Sequence, residues 1–134
     1  MKLGSHVLVE YHNCHREFLD DLEGVEKLMV EAVDISGATL VQPLFHQFSP
    51  YGVSGVCVVA ESHFAIHTWP EHGYAAVDLF SCGEFDYRTA MEHIASGLKS
   101  DSWKASLVER GIIGQDGQTG ELTIASLDTA HTLE

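Results

Sequence analysis

The sequence predicts an α+β fold: a two-layer sandwich in which helices cover one face of a mainly antiparallel sheet. Three observations carry this. Six runs have strand character and only two stretches have the three- and four-residue apolar steps of a helix. Four of the six runs follow one another too closely for intervening helices, so neighbours are expected to pair as antiparallel hairpins. Two helices cover only one face of such a sheet, which leaves the other for a partner, most simply a second copy of the chain. With 134 residues, no internal repeat and no linker, residues 1–134 read as one domain. A chain of this length buries a real core without disulfide or metal staples.

In chain order, residues 6–12 alternate, with Val7, Val9 and Tyr11 on one face, and predict the first strand. From Arg16 to Ile35 the period changes: Phe18, Leu22, Val25, Met29 and Ala32 or Val33 form the apolar stripe of one helix, and Ser36-Gly37 supplies its stop. Gly24 inside that stretch weakens it by up to ~1 kcal/mol relative to Ala. Four strands follow, at Thr39–Phe48, Val53–Ala60, His63–Trp69 and Tyr74–Cys82. Ser-Pro-Tyr-Gly at 49–52 and Pro-Glu-His-Gly at 70–73 supply turn chemistry between them. A second helix is expected from Asp86 or Tyr87 to Lys99, with Ala90, Met91, Ile94 and Leu98 facing inward, and a last strand over Ser102–Glu109. The order is β-α-β-β-β-β-α-β, and the Gly-, Thr- and Ser-rich tail after Gly111 is expected to be mobile near its end.

Composition narrows the partners. Twenty acidic against seven basic residues give a formal charge of −13, which repels phosphate backbones and argues against nucleic acid and anionic membranes. Cys14, Cys57 and Cys82 form no CxxC pair and leave an odd count, as suits a reducing cytoplasm. No apolar run approaches the ~18–20 residues of a transmembrane helix, and no secretory signal opens the chain. A cytoplasmic protein is expected.

The chemistry-bearing residues concentrate between Phe45 and Glu84, which holds four of the nine histidines and two of the three cysteines. A zinc site on His63 and His67 is disfavoured, because four residues apart on a strand means ~13 Å and no further ligand has the spacing for a tetrahedral set. No metal is expected. GxSxG is absent, so Ser54 is not a nucleophile elbow, while a Cys82 thiol with His67 as base stays open. A third option uses more residues. Ser62, at a strand-to-strand turn, can attack its own preceding carbonyl and convert the Glu61–Ser62 peptide to an ester. Loss of the Ser62 Cα proton then expels the Glu61 carboxylate, and hydrolysis of the dehydroalanine leaves a pyruvoyl group. This needs a base such as His67 and an oxyanion donor such as Ser54.

The stretch AESHFAIHTWPE followed by GYAAVDLFSCG closely resembles the processing and active-site region of prokaryotic S-adenosylmethionine decarboxylases. The upstream SGATLVQPLFHQFSPYGVSGV and the order of elements extend the resemblance over about residues 5 to 110. It implies a proenzyme that cuts itself between Glu61 and Ser62 into a β chain, 1–61, and an α chain, 62–134, whose Ser62 becomes the pyruvoyl cofactor. It implies His67 as processing base assisted by Ser54, and Cys82 as the proton donor in decarboxylation. It implies Phe48 and Trp69 as the rings that sandwich the adenine, and Glu71 as the carboxylate that holds the ribose. Tyr51 and Cys57 depart from the family's usual residues, and nothing past Gly111 carries its signature. The implied assembly is a dimer of cut protomers, two α and two β chains stacked sheet to sheet in a four-layer αββα sandwich, each site built from both protomers.

The implied reaction is chemically coherent. Decarboxylation of S-adenosyl-L-methionine leaves a carbanion that no side chain can delocalise, whereas a Schiff base with the pyruvoyl carbonyl can, as pyridoxal phosphate does elsewhere. The product is the aminopropyl donor of spermidine and polyamine biosynthesis. Two aromatic rings also suit a sulfonium beside an adenine, at ~0.5–2 kcal/mol for each cation–π contact. Two alternatives remain at this stage: a relative that decarboxylates arginine or ornithine, which offers nothing to stack, and an inactive homologue serving as a binding subunit. His46 and His63 are candidates for orienting other groups. Cys14 and Cys57 read as small buried side chains, and His6, His12, His15, His93 and His131 as surface or capping residues.

Overall fold

The computed structural model describes residues 1–127. The expectations about the chain's last residues and His131 lie outside these described residues. The strands are β1 (Lys2–His12), β2 (Leu40–Gln47), β3 (Val53–Val59), β4 (Ser62–Trp69), β5 (Tyr74–Ser81), β6 (Ser102–Ile112) and β7 (Thr123–Leu127). They form one antiparallel sheet in the order β2-β3-β4-β5-β1-β6-β7. The helices are α1 (Arg16–Leu19), α2 (Leu22–Ser36) and α3 (Tyr87–Leu98), with a single 3₁₀ turn at Pro70–His72 between β4 and β5. Helix α2 lies against β2, β3 and β4, and α3 packs on α2 and β1. The expected α+β sandwich is present.

The alternation in each strand decides which residues meet the helices. Val7, Val9 and Tyr11 of β1, Cys57 and Val59 of β3, Phe64 and Ile66 of β4, and Val77 and Leu79 of β5 point into one core. Val25, Met29, Ala32 and Val33 of α2 meet them there, with Ala90, Met91, Ile94 and Leu98 of α3. Fully burying side chains of this size contributes roughly 1.5–3 kcal/mol each. Tyr11 brings a polar atom into that core, and its hydroxyl donates to the Met91 carbonyl at 2.8 Å. Burial pushes that phenol well above its ordinary pKa. The other sheet face carries no helix and leaves Leu8, Leu44 and Val58 exposed.

Two expectations are corrected. The single helix over 16–35 is two. Asp21 takes an extended conformation (φ −101°, ψ 97°), and its carboxylate accepts the Gly24 N–H at 3.1 Å, capping α2. Gly24 therefore sits in a capped first turn rather than a helix interior, and the Asp20-Asp21 pair is the break that apolar spacing alone does not register. The second correction concerns the tail. The first strand begins at Lys2, β6 runs on to Ile112, and Thr123–Leu127 returns as an edge strand on it. Four of the five β7 residues are exposed, so this strand rests on ladder hydrogen bonds and leaves little apolar pattern to read. The stop at Gly37 is as expected, at φ 87°.

Candidate active site

The tight β3–β4 connection places residue 62 at the start of a strand. Ala60 N–H donates to the Thr39 carbonyl at 2.8 Å, and Ser62 pairs with Val59 on one side and Ser81 on the other. The Ser62 hydroxyl donates to the carbonyl oxygen of Glu61, its own preceding residue. That oxygen also accepts the Cys82 backbone N–H at 3.3 Å and the Cys82 thiol at 3.1 Å. One carbonyl thus holds three donors, the arrangement that favours negative charge on its oxygen. A Cβ on Gly83 would meet the end of the flexible Glu61 side chain rather than the Glu61 carbonyl. A hollow of about 520 Å³ opens beside this end, between Lys2, Ser5 and the Gly83–Tyr87 segment.

The three thiols differ. Cys14 and Cys57 are buried, and burial, the leading cause in each, pushes both pKa values up to about 11. Cys82 is exposed.

The second cluster lies at the opposite end of β4. Ser54 and His67 face each other across β3 and β4, with Ser54 Oγ 2.8 Å from His67 Nδ1. They line a cavity of about 250 Å³ with Phe48, Tyr51, Trp69 and Glu71. Several contacts fix its walls. The Phe48 N–H donates to the Gly52 carbonyl at 2.8 Å, and the Gly52 N–H to Asp20 Oδ1 at 2.8 Å. Gly52 takes φ 112°, a conformation side chains disfavour. Arg16 Nη1 donates to the Glu71 carbonyl at 2.9 Å and holds the 3₁₀ turn that presents its carboxylate. The Trp69 ring lies 5.3 Å from that of Tyr74, and His46 meets Phe48 edge-on at 4.6 Å.

The chain thus brings the expected residues together in two groups. Glu61, Ser62 and Cys82 form one; Phe48, Ser54, His67, Trp69 and Glu71 form the other. Ser62 and His67 stand five residues apart on one strand, ~16 Å at ~3.3 Å per residue. Five is odd, so their side chains leave opposite faces of the sheet. His63 does not join His67. It meets Asp78 and His6 on the open face, with Asp78 Oδ2 at 2.9 Å and 2.8 Å from the two Nε2 atoms. From the sequence His6 reads as a surface or capping residue, and nothing there marks Asp78. Their juxtaposition follows from register, since Phe80 stands opposite both His63 and His6, and one sequence does not print register. His15 caps α1 as expected, accepting the Phe18 N–H at 3.3 Å, and His93 pairs with Glu31 at 2.9 Å.

Comparison with known proteins adds a family. Residues 5–111 match the model of the family described as S-adenosylmethionine decarboxylase. The chain is 54% identical over 99 residues to the S-adenosylmethionine decarboxylase proenzyme of Thermosipho melanesiensis, covering 73% of this chain and 76% of the relative. It is 51% identical over 110 residues to the proenzyme of the same name from Thermotoga maritima, covering 81% and 85%. Its fold matches the crystal structure of the adenosylmethionine decarboxylase from Aquifex aeolicus with a TM-score of 0.78, at 34% identity, over 90% of this chain and 98% of that one.

Proposed function

The chain belongs to the S-adenosylmethionine decarboxylase family, and we propose that it is a proenzyme that makes its own pyruvoyl cofactor from Ser62. As a member of that family it is a carboxy-lyase acting on S-adenosyl-L-methionine, with a product that serves polyamine synthesis. The observation that carries the cofactor assignment is the Ser62 hydroxyl lying against the Glu61 carbonyl, with the Cys82 N–H and thiol on the same oxygen.

The chain's own residues supply the cut. The Ser62 oxygen bonds to the Glu61 carbonyl carbon, and negative charge develops on an oxygen already facing Cys82. The C–N bond to residue 62 then breaks, the nitrogen keeps its electron pair and takes a proton, and an ester remains. A base removes the Ser62 Cα proton, the Cβ–O bond breaks, and Glu61 leaves as a carboxylate. Water replaces the nitrogen, which departs as ammonia. The β chain then ends at Glu61 and the α chain begins at residue 62. When present, the pyruvoyl group supplies an electrophilic carbonyl and a sink for the electrons released with carbon dioxide. Cys82 holds a proton within reach of the reacting centre and delivers it to the product carbon. Phe48 and Trp69 stack the adenine, and Glu71 accepts from the ribose hydroxyls.

His67 and Ser54 serve as base and assistant, and the ~16 Å between Ser62 and His67 along β4 favours a second copy as their source. Two protomers stacked on their open faces give the four-layer αββα dimer, in which each site draws residues from both subunits. A cytoplasmic location suits three free thiols, and among the described residues no helix is long and apolar enough to cross a membrane.

Intact mass under denaturing conditions tests the proposal. Two fragments split between residues 61 and 62, the larger lacking a free amino terminus, are expected. A single uncut chain that releases carbon dioxide from S-adenosylmethionine would defeat it.

A further inference from the structure

The open face of the sheet carries a row of interacting side chains outside both clusters described above. His63 stands opposite Phe80, and Phe80 stands opposite His6. The Phe80 ring meets His6 at 5.2 Å and His63 at 5.9 Å between centroids. Asp78, on the same face of β5, brings Oδ2 to 2.8 Å from His6 Nε2 and 2.9 Å from His63 Nε2. Arg110 closes the row: its guanidinium lies 5.3 Å from the Phe80 centroid, and Nη1 is 3.3 Å from His6 Nδ1. Side chains from β4, β5, β1 and β6 thus meet around one carboxylate.

Two imidazoles and a carboxylate within 4.8 Å of one another also have the spacing of a metal site. Arg110 decides against that use. A guanidinium only donates, so His6 Nδ1 accepts from it, and neutral His6 carries its proton on Nε2. That proton points at Asp78. Ligation through Nε2 would move it to Nδ1, against Arg110. The same Asp78 oxygen accepts from His63 Nε2. The row is therefore a hydrogen-bonded anchor, with His63 tied through Asp78 to His6 and Arg110.

Its position gives the anchor a consequence, which rests on the cut between Glu61 and Ser62. Once the cut is made, residue 62 is a chain end, and chain ends fray unless tied. Its neighbour is His63, whose nitrogen carries the amide carbonyl of residue 62. We propose that His63, anchored by Asp78, is a positioning residue that holds the cofactor-bearing end of the α chain in register for decarboxylation. It acts through the backbone, because its side chain leaves the sheet on the face opposite to that of residue 62. A displacement of ~1 Å at a reacting group costs on the order of 10²-fold in rate, so a loosened end lowers turnover even where the cofactor has formed.

The test uses the full chain and two side chains of different reach. In His63→Gln the amide nitrogen can occupy the place of Nε2 and still donate to Asp78. In His63→Asn it stands where Nδ1 stands and falls short. Cofactor content is read from intact mass before and after phenylhydrazine, which adds to the ketone, and kcat and KM from carbon dioxide release. Per chain bearing the ketone, His63→Gln is expected to keep kcat within about threefold. His63→Asn and Asp78→Ala are expected to lose on the order of 10–100-fold in kcat with little change in KM. A merely structural role would not separate Gln from Asn in folded, cofactor-bearing protein. The His6→Gln and His6→Asn pair repeats the comparison on β1, so a His63→Asn chain that does not fold leaves the test intact. Equal turnover of the Gln and Asn variants, or an Asp78→Ala enzyme as fast as wild type, would overturn the anchor while leaving the Ser62 reading untouched. A wild-type chain that turns over uncut would overturn both.

Discussion

The two ends of β4 hold different kinds of chemistry. At the Ser62 end the machinery is mostly main chain: a carbonyl oxygen, the N–H that points at it, and two small nucleophilic side chains, with Gly83 beside the Glu61 side chain. At the Trp69 end it is side chain: three aromatic rings, an imidazole on a hydroxyl, and a carboxylate, around a cavity of about 250 Å³. The first arrangement suits bond making and breaking within the chain; the second suits recognition of a flat, cationic nucleoside. Ser62 and His67 stand five positions apart, ~16 Å along β4, so the two ends do not meet within one protomer. The contrast teaches that the chemistry-bearing residues of this chain divide between the two ends of one strand.

The sharpest way to break the comparison is at Ser62. Ser62→Ala is expected to remain uncut by mass and to release carbon dioxide at background level, and any cut fragment would refute the assignment. His67→Ala is expected to stall with the 61–62 junction as an ester. Hydroxylamine should then split a chain that gel electrophoresis otherwise shows whole. Cys82→Ala removes one of the donors on the Glu61 oxygen but not the N–H, so cutting should be slowed rather than abolished. Loss of the proton donor should then lower turnover of the cut enzyme by roughly 10²–10⁴-fold. Trp69→Ala and Phe48→Ala belong to the recognition end. They should process normally and raise KM by roughly 2–30-fold, the equivalent of ~0.5–2 kcal/mol per ring. The smallest effect is on stability. Cys14 and Cys57 are held neutral by burial, with pKa values raised from 9.0 to about 11. A thiol whose folded pKa lies above its unfolded one stabilises the fold below the unfolded pKa, and that contribution is lost as pH rises through the folded value. Tm should therefore decline between about pH 9 and pH 11, and less steeply in Cys57→Ala than in wild type.

Much of this was legible in the sequence, and the reasons are specific. The β-hairpin run from Leu40 to Ser81 announces itself by alternation and by Pro50, Gly52, Pro70 and Gly73 at its turns. The buried faces of β1, α2 and α3 follow from periodicity. What escaped depends on information that periodicity lacks. The break at Asp20-Asp21 is a capping event, since Asp21 captures the Gly24 N–H and the apolar stripe continues across it. Strand β7 is an edge strand with exposed side chains. At the site, the residue types near Ser62, Ser54, His67 and Cys82 could be read, but their division between two ends needed strand parity and length together. The His6–Asp78–His63 row needed the β1–β5–β4 register, set by contacts between strands far apart in sequence.

Mixing two defects in one dimer tests the division of the site most directly. Ser62→Ala destroys the cofactor end and leaves the His67 end intact; His67→Ala does the reverse. Co-expressed and purified together, they should form mixed dimers in which one of two sites pairs a good Ser62 end with a good His67 end. With random pairing the preparation should recover about a quarter of wild-type carbon dioxide release, the statistical share expected when intersubunit sites assemble symmetrically. Activity no higher than the average of the two parent enzymes would mean that each chain holds a whole site, and would contradict the account.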